Sequence, residues 1–398
     1  MYDVAIVGAG IVGLSTAYQL IEQRPDLKIC VIEKEADVAQ HQSRWNSGVM
    51  HSGIYYKPGS VRARNCRDGL ARLGPFCEQH DIPYEKCGKL IVATTTGELS
   101  TLNAVFEKGK KNGLTGIEII SAEAAKEIEP HVACLKAIKV PEAGIVNYER
   151  VAKKYRELFE AKGGSVLLKH KVRKVVTGAE YLTVVSDPAE IQTRFLISCA
   201  GLFADRIAQN TFPQIDFMIL PFRGEYYELK KEREYLVNHL IYPVPDINFP
   251  FLGVHYTRMI DGGIEAGPNA VLAFKREGYK NTQIDLQDLI ATIGYAGFRK
   301  LAAKFWRTGL AEMRRSFSKK LFVQALQKLI PEITMDDVVE ARSGVRAMAC
   351  DREGNLIDDF LFLDSDRVIH VISAPSPAAT ASLAIGSEIV QRVLTKIS

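Results

Sequence analysis

Three glycines near the start of the chain, Gly8, Gly10 and Gly13, stand at the G-x-G-x-x-G spacing that lets a backbone wrap a pyrophosphate. The first suits a tight turn, the second lets the main chain approach the phosphates, and the third lets a helix pack close on a strand. The phosphates then meet free N–H groups and the positive end of the helix dipole. Such a pattern is weak alone, so its flanks decide. Val4 to Val7 is an apolar run of strand type. Ile11 to Gln23 carries Ile11, Leu14, Ala17 and Leu20 at helical spacing, and Arg24-Pro25-Asp26 ends that helix. Lys28 to Ile32 reads as a second strand that delivers Glu33 twenty residues after Gly13. Glu33 can accept from a ribose 2′-OH and would repel a 2′-phosphate, which disfavours NADP. Lys34 follows it as a further candidate contact.

The glycines do not separate NAD from FAD, but two distant segments favour FAD. Phe195 to Ser198 is an apolar strand leading through Cys199 into Ala200-Gly201, followed by Asp205 and a helical Ile207-Ala208. A return strand so far along suggests a nucleotide-binding domain assembled from separated pieces. Near the C-terminus, Val368 to Ile372 reads as a strand, Ser373 to Thr380 as a rigid loop, and Ala381 to Lys396 as an amphipathic helix. Pro377, Ala378, Ala379 and Thr380 let a backbone pass close to a planar ligand. A helix start there can aim N–H groups at a flavin's N1 and C2 carbonyl, where negative charge gathers on reduction.

Bulk properties fit a globular enzyme. At 398 residues the chain is long enough for two or three domains, and a net charge of +4 gives nucleic-acid binding no electrostatic support. Seven scattered cysteines with no C-x-x-C pair argue against a disulfide framework or a structural zinc, and no metal is expected. With no leader-like segment and no apolar stretch of bilayer length, the cytoplasm is the expected location.

With these residues in hand, the chain resembles the D-amino-acid-oxidase-like superfamily of flavoproteins, and more closely the L-2-hydroxyglutarate dehydrogenase/oxidase family. The resemblance is carried by Asn46 to Tyr56 (NSGVMHSGIYY), Ser198 to Leu202, Pro221 to Tyr227 (PFRGEYY) and His239 to Asp246. It continues through Phe251 to His255, Gly267 to Tyr279, Gly344 to Ala347 and Ala374 to Thr380. Trp45 and Ser373 depart from the usual pattern, the latter where relatives carry Asn. The resemblance implies an α/β and α+β architecture: a Rossmann-like FAD-binding domain over 1–85, 145–215 and 340–398, and a second, antiparallel-sheet substrate domain over 86–144 and 216–339. It implies oxidation of L-2-hydroxyglutarate to 2-oxoglutarate, with electrons passed to a quinone or another acceptor. Asn46, Ser47 and Val172 join the expected cofactor contacts.

Such an oxidation needs a base for the hydroxyl proton and cations for the carboxylates. Histidine is the natural base near neutral pH, and two of the eight, His51 and His255, stand in the resembling segments. His255 is expected to end a strand-like run from Phe251. His51 could instead tether the flavin covalently, as a histidine near this place does in some relatives. Planar donors suit a dicarboxylate, so Arg223 and Arg346 are the expected clamps, with Tyr55, Arg258 and Lys275 as further candidates. Cys350 reads as an unreactive buried thiol.

Phe298 to Lys320 holds eight basic residues and one acid, Glu312, with Leu301, Phe305, Trp306, Leu310, Met313, Phe317, Leu321 and Phe322 interleaved at roughly helical spacing. One basic amphipathic helix over 298–322 could lie on an anionic membrane surface, on the inner face of the cell membrane. Two rival readings stay open: a flavin amine or amino-acid oxidase of the same superfamily, and a flavin-containing nucleic-acid-modifying protein.

Overall fold

The computed structural model describes residues 1–246 and 253–397. Tyr2–Val7 sits at the centre of a parallel sheet. Ile29–Ile32 and then Ser165–Leu167 lie to one side, and Glu190–Ser198 and then Val368–Ser373 to the other. The inner strands are runs of Val, Ile, Ala, Leu and Phe because helices cover a parallel sheet on its faces, leaving no wet side to encode. Helix Ile11–Gln23 follows the glycine turn with the bounds expected from its periodicity. It packs between Tyr148–Ala161 and Ser382–Leu394 through Leu14, Leu20, Tyr155, Ile389 and Val390, all fully buried.

A second sheet of nine strands lies in the order Val271–Leu272, Phe217–Leu229, Ile264–Gly267, His255–Arg258, Leu240–Pro243, Lys89–Ala93, Lys136–Val140, Glu118–Ser121. Val338–Asp351 borders the other edge of Phe217–Leu229. All these pairings are antiparallel except that of Leu240–Pro243 with Lys89–Ala93. Leu90, Tyr227, Ile241, Tyr256 and Ala266 turn one face of this sheet into a core with Phe322 and Leu326 of helix Lys319–Leu326. Because strand side chains alternate, their neighbours Tyr226, Tyr242, His255 and Gly267 point the other way. The sheets are pinned together by Arg276, which reaches Asp205 of helix Ala204–Ala208 at 2.7 Å in a nearly dry environment.

Three expectations are corrected here. Val338–Asp351, placed mostly in the flavin domain, is hydrogen-bonded along its length to Phe217–Leu229 and so belongs to the second sheet. His255 begins its strand rather than ending one, and Phe251 and Leu252 lie outside the described residues. The basic segment is not one helix. Ala296–Ser316 is kinked at Phe305, whose backbone leaves the helical region, and Ser318 caps a separate helix Lys319–Leu326. Phe322 is thereby turned into the core.

Helix Val61–Gln79 rests on the start of the C-terminal helix at Gly69, where an added Cβ would fall 2.5 Å from Ala381 Cα and 2.6 Å from Thr380 O. Gly69→Ala must therefore push the C-terminal loop aside. A loss of about 1–3 kcal/mol is expected, read as a lowered Tm; an unchanged Tm would contradict this packing.

Candidate active site

The glycine turn opens on a cavity of about 780 Å³ lined by Gly8, Gly10, Gly13, Glu33, Lys34, Val172, Ala200, Gly201, Ala378 and Ala379, expected cofactor contacts from five separated segments. Its walls leave no room for larger residues. A Cβ on Gly8 would lie 2.4 Å from the Cys199 carbonyl oxygen, and one on Gly13 would lie 2.1 Å from the Gly8 oxygen. Gly8 also has φ +100°, which other residues avoid. Glu33 is held rigidly: its carboxylate accepts from Ala9 N at 2.8 Å and Glu35 N at 3.0 Å. Ser43 Oγ accepts from Ile11 N at 2.8 Å, which brings a hydroxyl to the helix start. Lys34 is tied up within the protein, 2.7 Å from Glu277 and 2.8 Å from His41, and paired also with Glu35.

Four expected cofactor residues do not line this cavity. The Asn46 side chain closes its own turn, donating to Gln42 O and Ser43 O and accepting from Gly48 N. Thr380 Oγ1 is fully engaged with Tyr148 Oη at 2.6 Å, Val49 O and His51 N. Pro377 is buried, and its carbonyl accepts from Ala381 N. Ser47 is likewise outside the lining. Their contribution is to hold the loop that carries His51 against the C-terminal loop. Ser376 Oγ stands 3.3 Å from His51 Nε2.

Beside this loop the second sheet presents its other face. The register sets Ile241 opposite Tyr256, so Tyr242 lies beside His255, and their rings stack with centroids 3.8 Å apart. Tyr242 also pairs with Ile91, two residues from Lys89 on the same face. The Lys89 ammonium lies 4.4 Å from the Tyr242 ring centroid and 5.4 Å from that of Tyr55. Further along the face, Tyr226 hydrogen-bonds Arg346. His51, His255, Tyr55 and Arg346, drawn from three distant stretches of sequence, thus gather in one neighbourhood.

Arg223 does not join them. It precedes Gly224 on the opposite side of its strand from Phe222, the register partner of Arg346. There it is buried against Glu225 and Asn281. Arg258 pairs with Glu85, while Lys275 lines the cofactor cavity. Cys350 is buried, and burial pushes its thiol up to about 12.

The site is electrostatically unusual. Burial pulls His255 down to about 3; the contact with Gly253 opposes this, and the charges of Lys89 and Arg346 add to it. Its Nδ1 lies 2.9 Å from the Gly253 carbonyl and must donate to it, which leaves Nε2 with a free lone pair. Burial, then Lys89 and His255, also hold His51 well below its ordinary value. The residue that sequence reasoning missed is Lys89. It is only 3% exposed, and burial pulls its ammonium down to about 8. Among the described residues no carboxylate pairs with it. The Tyr55 hydroxyl is buried without a hydrogen-bond partner there, and that of Tyr242 faces Thr257 and Ser47.

Comparison with known proteins now separates the readings. The sequence profile of the FAD dependent oxidoreductase family matches residues 3–392. The chain belongs to this family. It is 51% identical over 396 residues to L-2-hydroxyglutarate dehydrogenase of Indibacter alkaliphilus, covering 99% of each chain. It is 45% identical to the human mitochondrial L-2-hydroxyglutarate dehydrogenase, covering 98% of this chain and 88% of that one. Among solved structures, FAD-bound L-alpha-glycerophosphate oxidase from Mycoplasma pneumoniae superposes with a TM-score of 0.80 at 22% identity, covering 99% and 94% of the two chains. Glycine oxidase from Bacillus cereus superposes at 0.74 and 14% identity, covering 100% and 96%. The fold is therefore the Rossmann-like FAD-binding fold expected, and FAD is the cofactor of this family.

An unpaired buried ammonium must cost stability. The drop in Lys89 from 10.5 to about 8 corresponds to a cost on the order of 3 kcal/mol. The unfolded chain binds the extra proton between those two values, so the cost is full below about pH 8 and vanishes as pH rises towards 10.5. Lys89→Met should therefore raise the Tm of the apoprotein at pH 7, and the advantage should shrink as the pH approaches 10.5. A variant less stable than wild type at pH 7 would refute the unpaired charge.

Proposed function

We propose that this protein oxidises L-2-hydroxyglutarate to 2-oxoglutarate. The observation that carries the reading is a neutral, buried His255 with its Nε2 lone pair free, set among the cations Lys89 and Arg346 on the face that meets the cofactor domain. That combination suits an anionic hydroxy acid whose hydroxyl proton must leave. Full-length relatives at 51% and 45% identity carry that activity in their names, which favours a hydroxy acid over an amine. Bound FAD would supply the two-electron acceptor for the hydride that leaves C2. His255 Nε2 takes the hydroxyl proton, so the C2–O bond becomes a carbonyl. Arg346, braced by Tyr226, orients the carboxylate next to the reacting carbon. His51, anchored through its backbone to Thr380, walls the site on the cofactor side.

Anaerobic mixing of the holoenzyme with L- and D-2-hydroxyglutarate tests this directly. The L-enantiomer should bleach the flavin, and bleaching by neither would reject the substrate. His255→Ala should slow flavin reduction by roughly 10²–10⁴-fold. Wild-type kcat/KM should show no acid limb from His255 between pH 5 and 7, because the imidazole stays unprotonated down to about 3. Full activity in His255→Ala, with activity lost in His51→Ala, would transfer the base to His51.

We further infer that electrons leave at a membrane, to a quinone. No described helix is long and apolar enough to cross a bilayer. What supports a surface position is a set of exposed apolar side chains interleaved with basic residues along two successive helices: Ile290 is 70% exposed, Trp306 55% and Phe317 67%, with Arg299, Lys300, Lys304 and Arg307 nearby in the chain. Apolar anchors with cations around them suit an anionic lipid surface. The holoenzyme should co-sediment with vesicles containing phosphatidylserine at low salt and lose binding on Trp306→Ser with Phe317→Ser. Absence of binding at low salt would reject this surface.

A further inference from the structure

We propose that Lys89, with the hydroxyls of Tyr55 and Tyr242, forms the subsite that takes the carboxylate remote from the reacting carbon, and so selects a dicarboxylate. This rests on the 2-hydroxy-acid reading above and assigns the part of the site that reads chain length and charge.

Three observations carry it. First, Lys89 is buried and, among the described residues, lies beside aromatic rings rather than an acid. A buried charge without a counterion is costly and persists where a ligand brings the opposite charge. Second, the two rings beside it belong to Tyr55 and Tyr242, and the Tyr55 hydroxyl is buried without a partner among the described residues, while that of Tyr242 faces Thr257 and Ser47. An ammonium and two hydroxyls, each able to donate, fit in one dry place with a carboxylate, which offers acceptors only. Third, the two cations of this face are divided between its ends. Arg346 precedes Ala347, which lines the cofactor cavity, and stands on the strand Val338–Asp351. Lys89, Tyr55 and Tyr242 line no part of that cavity, and in the strand order Tyr242 and Lys89 lie on the far side of His255 from Arg346. A substrate with its C2 at the base and its near carboxylate on Arg346 extends its other end toward Lys89. Arg223 stands beside Glu225 on the opposite sheet face and is turned away from this neighbourhood.

The test compares L-2-hydroxyglutarate with L-2-hydroxypentanoate, which has the same chain length and a methyl group in place of the far carboxylate. In the FAD-loaded Lys89→Met enzyme, kcat/KM for L-2-hydroxyglutarate should fall about 100-fold, while that for L-2-hydroxypentanoate stays within threefold of wild type or rises. Tyr55→Phe and Tyr242→Phe should each raise KM for L-2-hydroxyglutarate with kcat little changed, and they keep the proposal testable if Lys89→Met does not fold. Equal loss on both substrates would assign Lys89 to the base instead and overturn the subsite, as would no loss on either. Glutarate and butyrate, read by perturbation of the flavin spectrum, separate this proposal from the function. If wild type oxidises neither hydroxy acid, the substrate reading fails alone. Glutarate binding weakened by Lys89→Met with butyrate unaffected would still support the subsite, and undiminished glutarate binding would overturn it.

Discussion

The site exists only if two sheets of unrelated construction hold a fixed separation, and the buried pair of Arg276 and Asp205 sets it. Asp205 opens the short helix that follows the return strand, and besides Arg276 it accepts from Ile219 N in the first turns of the long strand Phe217–Leu229. Arg276 in turn donates to Leu202 O beside the cofactor loop. One carboxylate therefore joins the end of the cofactor sheet, the start of the second sheet and the segment that closes over both. Breaking such a pair by removing one partner strands the other charge in a dry place, at a cost of about 3–5 kcal/mol. A second tie repeats the logic at the rim, where Arg342 pairs with Glu265 and donates to Arg44 O and Asn46 O. The cofactor loop is thus fastened to the substrate-side sheet by backbone carbonyls, which tolerate no slippage.

The cofactor half was legible because its determinants are local. A strand, a glycine turn, a helix and an acid follow within thirty-odd residues, and each is imposed by short-range sterics and periodicity. The helix Ile11–Gln23 and the strands around Ala5 and Ile197 needed no knowledge of the rest of the chain. The substrate half was not legible in the same way, because its chemistry is assembled by register across strands far apart in sequence. Lys89 opens Lys-Leu-Ile-Val-Ala, which reads as an ordinary strand with a solvated first residue. Only the pairing of Ile91 with Tyr242, and the position of Tyr242 beside His255, turns it inward.

Arg223 shows the converse error, and here a signal was available. In a strand, residues two apart share a face, so Pro-Phe-Arg-Gly-Glu places Arg223 and Glu225 side by side with opposite charges. That spacing argues for mutual satisfaction rather than for a ligand. Arg346 has no such acid two residues away, since Gly344 and Met348 flank it at that distance. The choice between two arginines in equally suggestive motifs therefore turned on period-two parity. The misplaced boundary at Val338–Asp351 has the same origin: the strand is near the C-terminal cofactor segment in sequence, but its hydrogen bonds go to Phe217–Leu229.

The depressed basicity of His255 looks like a handicap for a base, and the arrangement of charges resolves it. Burial is the largest cause and remains when a substrate arrives, but the next opposing influences are the fields of Lys89 and Arg346. A dianion spanning those two cations would cancel both fields at the imidazole, raising its proton affinity only when both carboxylates are in place. A molecule with one carboxylate would leave one field standing and meet a weaker base. On this account the cations do more than hold the substrate. They reinforce the burial that leaves His255 without a proton in the empty site, so that its Nε2 is ready to receive the one released by the hydroxyl.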